Sequence, residues 1–290
     1  MDMNLLVQVA INGLLTGGVF AIIAIGLTLI FGVLEIVNFA HGEFVMLGMY
    51  ASYFLYIFLG IDPYLSLLIV MPVFFFFGML IQKSLIERVM KARFHIQILL
   101  TLGLMLFLQN FAQFAWSSDF RSVKLPYSSS VFQVGEFIIN IPRLIACFLA
   151  LVIAGVLYFF LKKTDLGMAI KACAVEKEGA SIVGINVERI YLIAFGIGIA
   201  CAGAAGSILL PFFYVSPNVG SVFVLTAFVI VVLGGMGNFV GALLGGFIIG
   251  AAEAIGELFL PGALKQVVSF VIFILILFFR PMGLLGGKVD

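Results

Sequence analysis

The chain has 290 residues, of which 64% are hydrophobic and only 10% are Asp, Glu, Lys or Arg, and its mean hydropathy is +1.29. A soluble domain is about half apolar and about a quarter charged, so this composition excludes an ordinary soluble fold and predicts an integral membrane protein covered by lipid. The net charge of +1 gives no reason to expect a nucleic acid or a strongly acidic partner.

Nine apolar runs follow one another along the chain, and most approach the roughly 20 residues that a helix needs to span a bilayer. They are Leu5–Phe31, Phe44–Leu59, Tyr64–Ile81, Ile96–Trp116, Ile141–Leu161, Ile190–Phe213, Ser221–Leu233, Phe239–Ile255 and Val267–Phe279. Ser221–Leu233 is too short to cross upright and precedes a Gly-rich break, so it predicts half of a broken helix or a re-entrant segment. The sequence thus predicts an all-α polytopic membrane protein, a single transmembrane domain over residues 1–290, with about eight or nine transmembrane or re-entrant helices.

Basic residues concentrate in three of the connecting segments. Gln82–Phe94, Lys162–Arg189 and the tail from Arg280 together hold 11 of the 15 Lys and Arg residues. These segments fall on one side if nine helices alternate in direction, and cytoplasmic loops retain positive charge. We therefore expect them, including the C-terminus, in the cytoplasm and Ser117–Asn140 outside. The N-terminus is then outside too, provided that Ser221–Leu233 crosses the membrane.

The segment between the first two apolar runs, Gly32–Glu43, carries the polar residues that best suit a transport pathway or gate. They are Glu35, Asn38, His41 and Glu43, with Gly42 among them. Ionisable groups at membrane depth are costly and usually face a cavity, a partner or a pathway. The alternative is a turn at the cytoplasmic surface whose charges reach water, with Glu43 near the positive end of a helix dipole. The sequence leaves both interpretations open.

The basic segment 162–189 contains a stretch, Thr164–Glu188, that predicts a helix outside the lipid. Ala, Lys and Glu favour the helix, and Gly184 with Asn186 provides a stop. Glu176, Ala180 and Gly184 are spaced by four residues, which would align them on one face. Ile182, Val183 and Ile185 add apolar groups near the end. Because a plain connection would not need this mixture, we predict that the helix docks into a groove on a soluble protein.

Glycines recur at close to every fourth position late in the chain. They are Gly237, Gly241, Gly245 and Gly250, joined by Gly246. A flat helix face of this kind lets another backbone approach closely in the membrane, so we favour helix packing over contact with a substrate. Glu253 and Glu257 follow at the same spacing near the outer end, where they either reach water or receive an external partner.

Two of these regions contain short stretches of similar sequence. Asn38-Phe39-Ala40-His41-Gly42 resembles Asn238-Phe239-Val240-Gly241, and each stretch follows a Gly-containing break and precedes a Gly-spaced helix. Transporters are often built from duplicated halves whose interrupted helices meet within the membrane. An internal duplication is therefore a hypothesis.

No nucleotide-binding or catalytic motif accompanies the apolar runs. Gly286-Gly287-Lys288-Val289 is the nearest approach to a phosphate loop, and it lacks the hydroxyl residue after the lysine. His41 and His95 are the only histidines, and the three cysteines are widely separated. An intramembrane hydrolase is therefore disfavoured. We expect no metal or cofactor in this chain, and any ATP would be hydrolysed by another subunit.

Five stretches, in this order, resemble the LivH-type permeases of branched-chain amino-acid ABC importers, and the resemblance extends along nearly the whole chain. They are Asn12-Gly13-Leu14 through Gly26-Leu27-Thr28 to Gly32; Asn38-Phe39-Ala40-His41-Gly42-Glu43 with Gly48; Glu176…Ala180…Gly184-Ile185-Asn186; Gly234-Gly235-Met236-Gly237 with Gly241-Ala242; and Arg280-Pro281-Met282-Gly283-Leu284. The third stretch is similar to the family's ATPase-coupling loop. Its residues would then couple the permease to ATP hydrolysis.

The resemblance implies import of branched-chain amino acids across the cytoplasmic (inner) membrane of a prokaryote by alternating access. It implies as partners a second, LivM-like permease, two cytoplasmic ATPases that bind ATP and Mg²⁺, and an extracytoplasmic substrate-binding protein. Urea and short-chain amide ABC permeases share most of the pattern and form one alternative. A secondary transporter or channel acting alone is another, and the polar residues of Gly32–Glu43 would supply its site.

Overall fold

A computed structural model of the chain describes residues 3–260 and 264–286. Each of the nine apolar runs forms a helix in these residues. The helices are α1 (Met3–Leu34), α2 (His41–Leu59), α3 (Pro63–Ile81), α4 (Phe94–Trp116), α5 (Ile141–Lys163), α8 (Val187–Leu209), α9 (Val219–Gly234), α10 (Phe239–Glu257) and α11 (Lys265–Phe279), and two short helices, α6 (Asp165–Val175) and α7 (Lys177–Ile182), lie between α5 and α8. Helix α3 continues through a π-helical turn, Gln82–Ile86, to Val89. The predicted all-α polytopic membrane fold is confirmed.

Seven of the helices in the described residues are long and apolar enough to span a membrane. The two shorter ones are α9 and α11, with 16 and 15 residues. At about 1.5 Å per residue α9 is about 24 Å long, less than the hydrocarbon core of about 30 Å. Helix α9 is therefore too short to cross the membrane upright, as predicted, although it is three residues longer than the apolar run Ser221–Leu233.

Helix α1 lies at the centre of the bundle. From Gly17 to Leu34 it is almost entirely apolar and largely buried, which is typical of a helix segment surrounded by other helices. Its closest neighbour is α10, and small residues make this approach possible. A Cβ at Gly17 would lie 2.6 Å from the carbonyl oxygen of Gly246, and a Cβ at Gly250 would lie 2.4 Å from the Cα of Gly17. The two backbones are therefore in direct contact, as expected for helices that pack without a hydrophobic force between them.

One end of the bundle, the hairpin end, carries a β-hairpin that was not expected from the sequence. Strands β1 (Val131–Val134) and β2 (Phe137–Asn140) pair antiparallel around Gly135, which has a φ of +61°. The backbone of Ile138 exchanges two hydrogen bonds with the Gln8 side chain of α1. The N-terminus of α1 therefore lies at the same end as the Ser117–Asn140 loop, as nine alternating helices require.

The opposite end, the basic end, collects the three segments rich in Lys and Arg. It also holds the connection after α1, because Lys177 lies 4.0 Å from Glu35, and the C-terminal tail, because Asn238 donates a hydrogen bond to the carbonyl of Leu285. Arg280 is described, whereas Lys288, which contributed to the predicted charge asymmetry, lies outside the described residues. The two ends of the bundle thus differ in charge as the sequence predicted.

The prediction of one continuous helix over Thr164–Glu188 is wrong. Helix α6 ends at Val175 because Glu176 leaves the helical conformation, and its carboxylate then accepts a hydrogen bond from the backbone N–H of Glu178. Helix α7 ends two residues before Gly184, whose φ of +89° confirms the predicted stop. Glu176, Ala180 and Gly184 therefore do not share one face of a helix.

Candidate transport pathway and coupling segment

The connection after α1, residues 35–40, turns back into the bundle instead of staying at its end. The ring Nε2 of His41 lies 3.0 Å from the carbonyl oxygen of Ile23. Ile23 precedes the end of α1 by 11 residues, or about 16 Å along the helix. Helix α2 consequently begins deep inside the protein. Irregular backbone at this depth is tolerated only where protein surrounds it, and Thr101 of α4 satisfies one group by donating a hydrogen bond to the carbonyl of Val37.

Three of the predicted pathway residues are completely buried by this arrangement. Asn38, His41 and Glu43 each have 0% of their surface exposed. Among the described residues no hydrogen-bond partner is found for the Asn38 amide nitrogen, the His41 Nδ1 or either carboxylate oxygen of Glu43. Glu35 differs, since its side chain is exposed beside Lys177. The interpretation of the segment as a surface turn is therefore correct for Glu35 and wrong for the three buried residues.

The beginning of α2 is pressed against the beginning of α9. A Cβ at Gly42 would lie 2.0 Å from the carbonyl oxygen of Gly220, and a Cβ at Gly220 would lie 2.5 Å from a carboxylate oxygen of Glu43. Glu43 thus lies in the first turn of its own helix and beside the first turn of α9. The positive ends of two helix dipoles favour negative charge at this position. The short helix α9 therefore starts at the most polar point of the bundle interior.

The five predicted coupling residues occupy different positions around α7. Ala180 is buried, with 4% of its surface exposed, and Ile185 is half-buried. Glu176 and Gly184 are exposed at the two ends of the helix, and Asn186 caps α8 by accepting a hydrogen bond from the N–H of Arg189. Two apolar side chains protrude at the C-terminal end of α7, Ile182 and Val183, which are 86% and 75% exposed. These two residues form an apolar tip at the basic end.

Helix α7, the centre of the predicted coupling segment (residues 162–189), contacts the connection after α1 (residues 35–40) through an ion pair. The ammonium of Lys177, the first residue of α7, lies 4.0 Å from the carboxylate of Glu35, and both side chains are mostly exposed. An exposed pair of this kind contributes about 0–1 kcal/mol. It nevertheless joins the residues around the apolar tip to the connection that leads to Glu43.

The glycines that were predicted to form one packing face of α10 contact two different helices. A Cβ at Gly241 would lie 2.0 Å from the carbonyl oxygen of Gly234, and Gly245 faces Ile230 on the same helix, α9. Gly250 instead packs on Gly17 of α1. Gly237 is not part of the predicted face, because it precedes α10 and has a φ of +83°. The helix therefore uses its small residues on two faces, one towards α9 and one towards α1.

The two stretches of similar sequence, which begin at Asn38 and at Asn238, each have their asparagine in a similar position before a helix. Asn238 caps α10 by accepting a hydrogen bond from the N–H of Gly241, and Asn38 accepts one from the N–H of Ala40 just before α2. Both asparagines thus lie in irregular connections that lead into a helix. The internal duplication remains a hypothesis.

Glu253, which was expected to reach water or an external partner, is buried instead. Its carboxylate accepts hydrogen bonds from Ser269 at 2.6 Å and from Thr226 at 3.3 Å. These hydroxyl groups are supplied by α11 and α9. Their pairing with Glu253 is not predictable from sequence, because the three residues lie on different helices. Glu257, one turn further along α10, is exposed as expected.

A bundle of membrane-spanning helices with a polar connection folded into its interior is the fold of a polytopic membrane protein. A family model described as "Branched-chain amino acid transport system / permease component" matches residues 9–277, and the chain belongs to this family. The resemblance to LivH-type permeases is thereby confirmed.

Several curated relatives are similar to the chain over almost its full length. The permease LivH of Salmonella typhimurium is 34% identical, with 96% of this chain and 95% of the relative covered. The permease BraD of Pseudomonas aeruginosa is 31% identical over the same shares. A probable LivH of Methanocaldococcus jannaschii is 29% identical, over 95% of this chain and 91% of the relative. All three are named as branched-chain amino acid transport permeases. No solved structure matches the chain.

Proposed function

We propose that this chain is the permease subunit of an ATP-driven importer that moves branched-chain amino acids across the cytoplasmic membrane of a prokaryote. The observation that carries the proposal is the similarity to permeases of that name over 96% of the chain. Its partners are a second permease of the LivM type, two ATPase subunits and an extracytoplasmic substrate-binding protein. ATP and Mg²⁺ bind to the ATPases and not to this chain.

The basic end faces the cytoplasm in this proposal, and the hairpin end faces outward. The charge asymmetry supports this orientation, because cytoplasmic loops retain Lys and Arg. The apolar tip formed by Ile182 and Val183 then projects towards the ATPase subunits. Exposed apolar side chains of a helix suit a groove on a partner.

Coupling proceeds from the apolar tip to the interior of the permease. Closure of the ATPases on ATP moves α7, and the contact between Lys177 and Glu35 passes the displacement to residues 35–40. That connection ends at the close contact between Gly42, Glu43 and Gly220. A shift there changes how α2 and α9 meet and thus which side the pathway faces. ATP and the loaded binding protein drive the change because each binds the two states with different affinity.

The test is purification of the tagged chain from its native membranes, followed by reconstitution into liposomes. We expect ATPase subunits to co-purify. We also expect uptake of leucine, isoleucine and valine that requires ATP and the loaded binding protein. Urea and acetamide serve as the comparison substrates, and uptake of these in place of leucine would assign the chain to the amide permeases.

A transporter acting alone is the second candidate, and the buried Glu43 is the observation that favours it. A carboxylate without a hydrogen-bond partner among the described residues, in the interior of a membrane protein, is typical of an ion or proton site. Leucine uptake by the chain without ATPase subunits, driven by an ion gradient, would establish this candidate and contradict the proposal above.

A further inference from the structure

A polar stripe runs down the hairpin-end half of α1. Asn4, Gln8, Asn12 and Thr16 recur at every fourth position of a helix that is otherwise almost entirely apolar. Residues four apart lie on one face of a helix, so the four side chains form a line that points from the hairpin end into the bundle. Phe20 occupies the next position of the same line. The contact of α1 with α10 is made by small residues that include Gly13 and Gly17, whereas Asn4 and Gln8 hydrogen-bond Glu136 and Ile138 of the hairpin.

Two cavities lie along this stripe, one behind the other. The outer cavity has a volume of about 540 Å³ and is lined by Asn4, Gln8 and the hairpin residue Glu136. The inner cavity has a volume of about 100 Å³ and is lined by Thr16 and Phe20. Both have Asn12 and Arg143 in their walls. Polar groups therefore line both cavities, from the hairpin end to a small pocket about three to five helical turns along α1.

The inner cavity combines opposite charges with aromatic rings. Arg143 of α5 lies on one side, with its guanidinium carbon 5.9 Å from the centre of the Phe212 ring. Glu257 and Glu253 of α10 lie on another side, and the charges of Arg143 and Glu257 interact. Glu253 is held in place by the hydroxyl groups of Thr226 and Ser269. A guanidinium, carboxylates and apolar rings thus converge on one space.

The pocket is closed towards the interior by rings. Phe20 and Phe213 line it, and both contact Phe223 of α9, with ring centres 6.3 Å and 5.5 Å apart. Phe223 lies one turn from Gly220, the residue that contacts Glu43. The aromatic floor therefore separates the pocket from the polar contact between α2 and α9.

We infer that the two cavities together form a receiving site for a zwitterionic amino acid with an apolar side chain, which occupies the inner cavity while the charged groups lie at Arg143, in the wall that both cavities share. Arg143 binds the α-carboxylate, Glu257 binds the α-ammonium group, and Phe20, Phe212 and Phe213 contact the side chain. A guanidinium matches a carboxylate in shape and charge, and small-ligand sites are mainly apolar with a few convergent polar groups. The inference rests on the proposed function, and it places the substrate at the hairpin end before the aromatic floor opens.

The inference is tested by replacing Arg143 in the complete reconstituted complex. Arg143→Gln, Arg143→Lys and Glu257→Gln are compared with the wild type and with Lys124→Gln, which removes an exposed positive charge from the hairpin end without altering either cavity. Uptake of radiolabelled leucine and ATP hydrolysis are both measured with saturating leucine-loaded binding protein. We expect Arg143→Gln and Glu257→Gln to lower the leucine transported per ATP hydrolysed by about tenfold, the effect of one lost charge-assisted contact.

The variants separate substrate binding from a structural role. ATPase stimulation by the loaded binding protein should be unchanged in all of them, and Arg143→Lys should retain more uptake than Arg143→Gln because it keeps the charge. Normal leucine uptake per ATP in Arg143→Gln would overturn the site while leaving the proposed function intact. An equal loss of uptake and ATPase stimulation would also overturn it and make Arg143 a folding or docking residue. Absence of leucine uptake in the wild-type complex would instead contradict the proposed function.

Discussion

Gly42 packs where even a methyl group would be too large. Its position opposite the carbonyl oxygen of Gly220 brings the starts of α2 and α9 into backbone contact, and Glu43 is buried beside it. The types of residue in this segment could be recognised from the sequence, since a histidine and a glutamate between two apolar runs are unusual in a membrane protein. Their burial could not, because the helix that covers them follows much later in the chain.

Gly42→Ala is expected to destabilise the protein by about 1–3 kcal/mol, because the new Cβ would meet a backbone oxygen that no rotamer change can move away. Gly103→Ala in α4 is the matched control, since a Cβ there meets nothing within 4 Å. In a helix that substitution is neutral or stabilising by up to about 1 kcal/mol. Thermal unfolding of both variants in the same detergent measures the difference. Equal stability of the two would show that the contact at Gly42 is not tight.

The coupling segment demonstrates at the scale of an element what sequence spacing can and cannot predict. The stop at Gly184 followed from residue type, because glycine readily adopts a positive φ. The break at Glu176 did not, because a glutamate is as compatible with a helix interior as with a cap. The spacing of four between Glu176, Ala180 and Gly184 therefore suggested a shared face that the break removes. Ala180 instead packs on the bundle and Ile182 projects from it.

Ile182→Glu should weaken binding of the ATPase subunits while leaving the permease folded. Its side chain is 86% exposed, so a charge there costs little within the chain, whereas burial of that charge in an apolar groove costs several kcal/mol or prevents docking. Val131→Glu on the hairpin is the matched control, because Val131 is also an exposed apolar residue but lies at the opposite end. Pull-down of the ATPase and ATP hydrolysis in the reconstituted complex are the measurements. Full ATPase retention by Ile182→Glu would remove the apolar tip from the interface.

At the scale of the whole molecule, all nine apolar runs became helices, because length and hydropathy alone determine which segments can be buried in lipid. Their arrangement was not predictable in the same way. The pairing of α1 with α10 depends on glycines more than 200 residues apart in the chain, and the hydroxyl partners of Glu253 come from two separate helices. The pocket beside Arg143 likewise requires four segments to meet.

Cysteine labelling of intact cells tests the orientation. Ser129 and Ser181 are exposed at the hairpin end and the basic end, so Ser129→Cys should react with a membrane-impermeant maleimide added outside and Ser181→Cys only after permeabilisation. The native cysteines are buried. Burial also raises the pKa of the Cys173 thiol, which lowers its thiolate fraction and reactivity. The unmodified chain should therefore give little background. Reaction of both variants from the same side would contradict the proposed topology.

The contact between Glu43 and Gly220 also bears on how the protein is made. Gly220 is synthesised 177 residues after Glu43. At about 5–20 residues per second, α2 therefore waits about 10–35 s for the helix that covers it. During that interval the nascent chain has inserted a helix whose first turn presents Glu43 and backbone that α9 has yet to cover. Lipid offers no hydrogen-bond partners to these groups. We therefore expect the newly made N-terminal half to stay bound to the insertion machinery or to a chaperone until α9 is made. Truncation before α9 is expected to yield a product that membrane proteases degrade quickly.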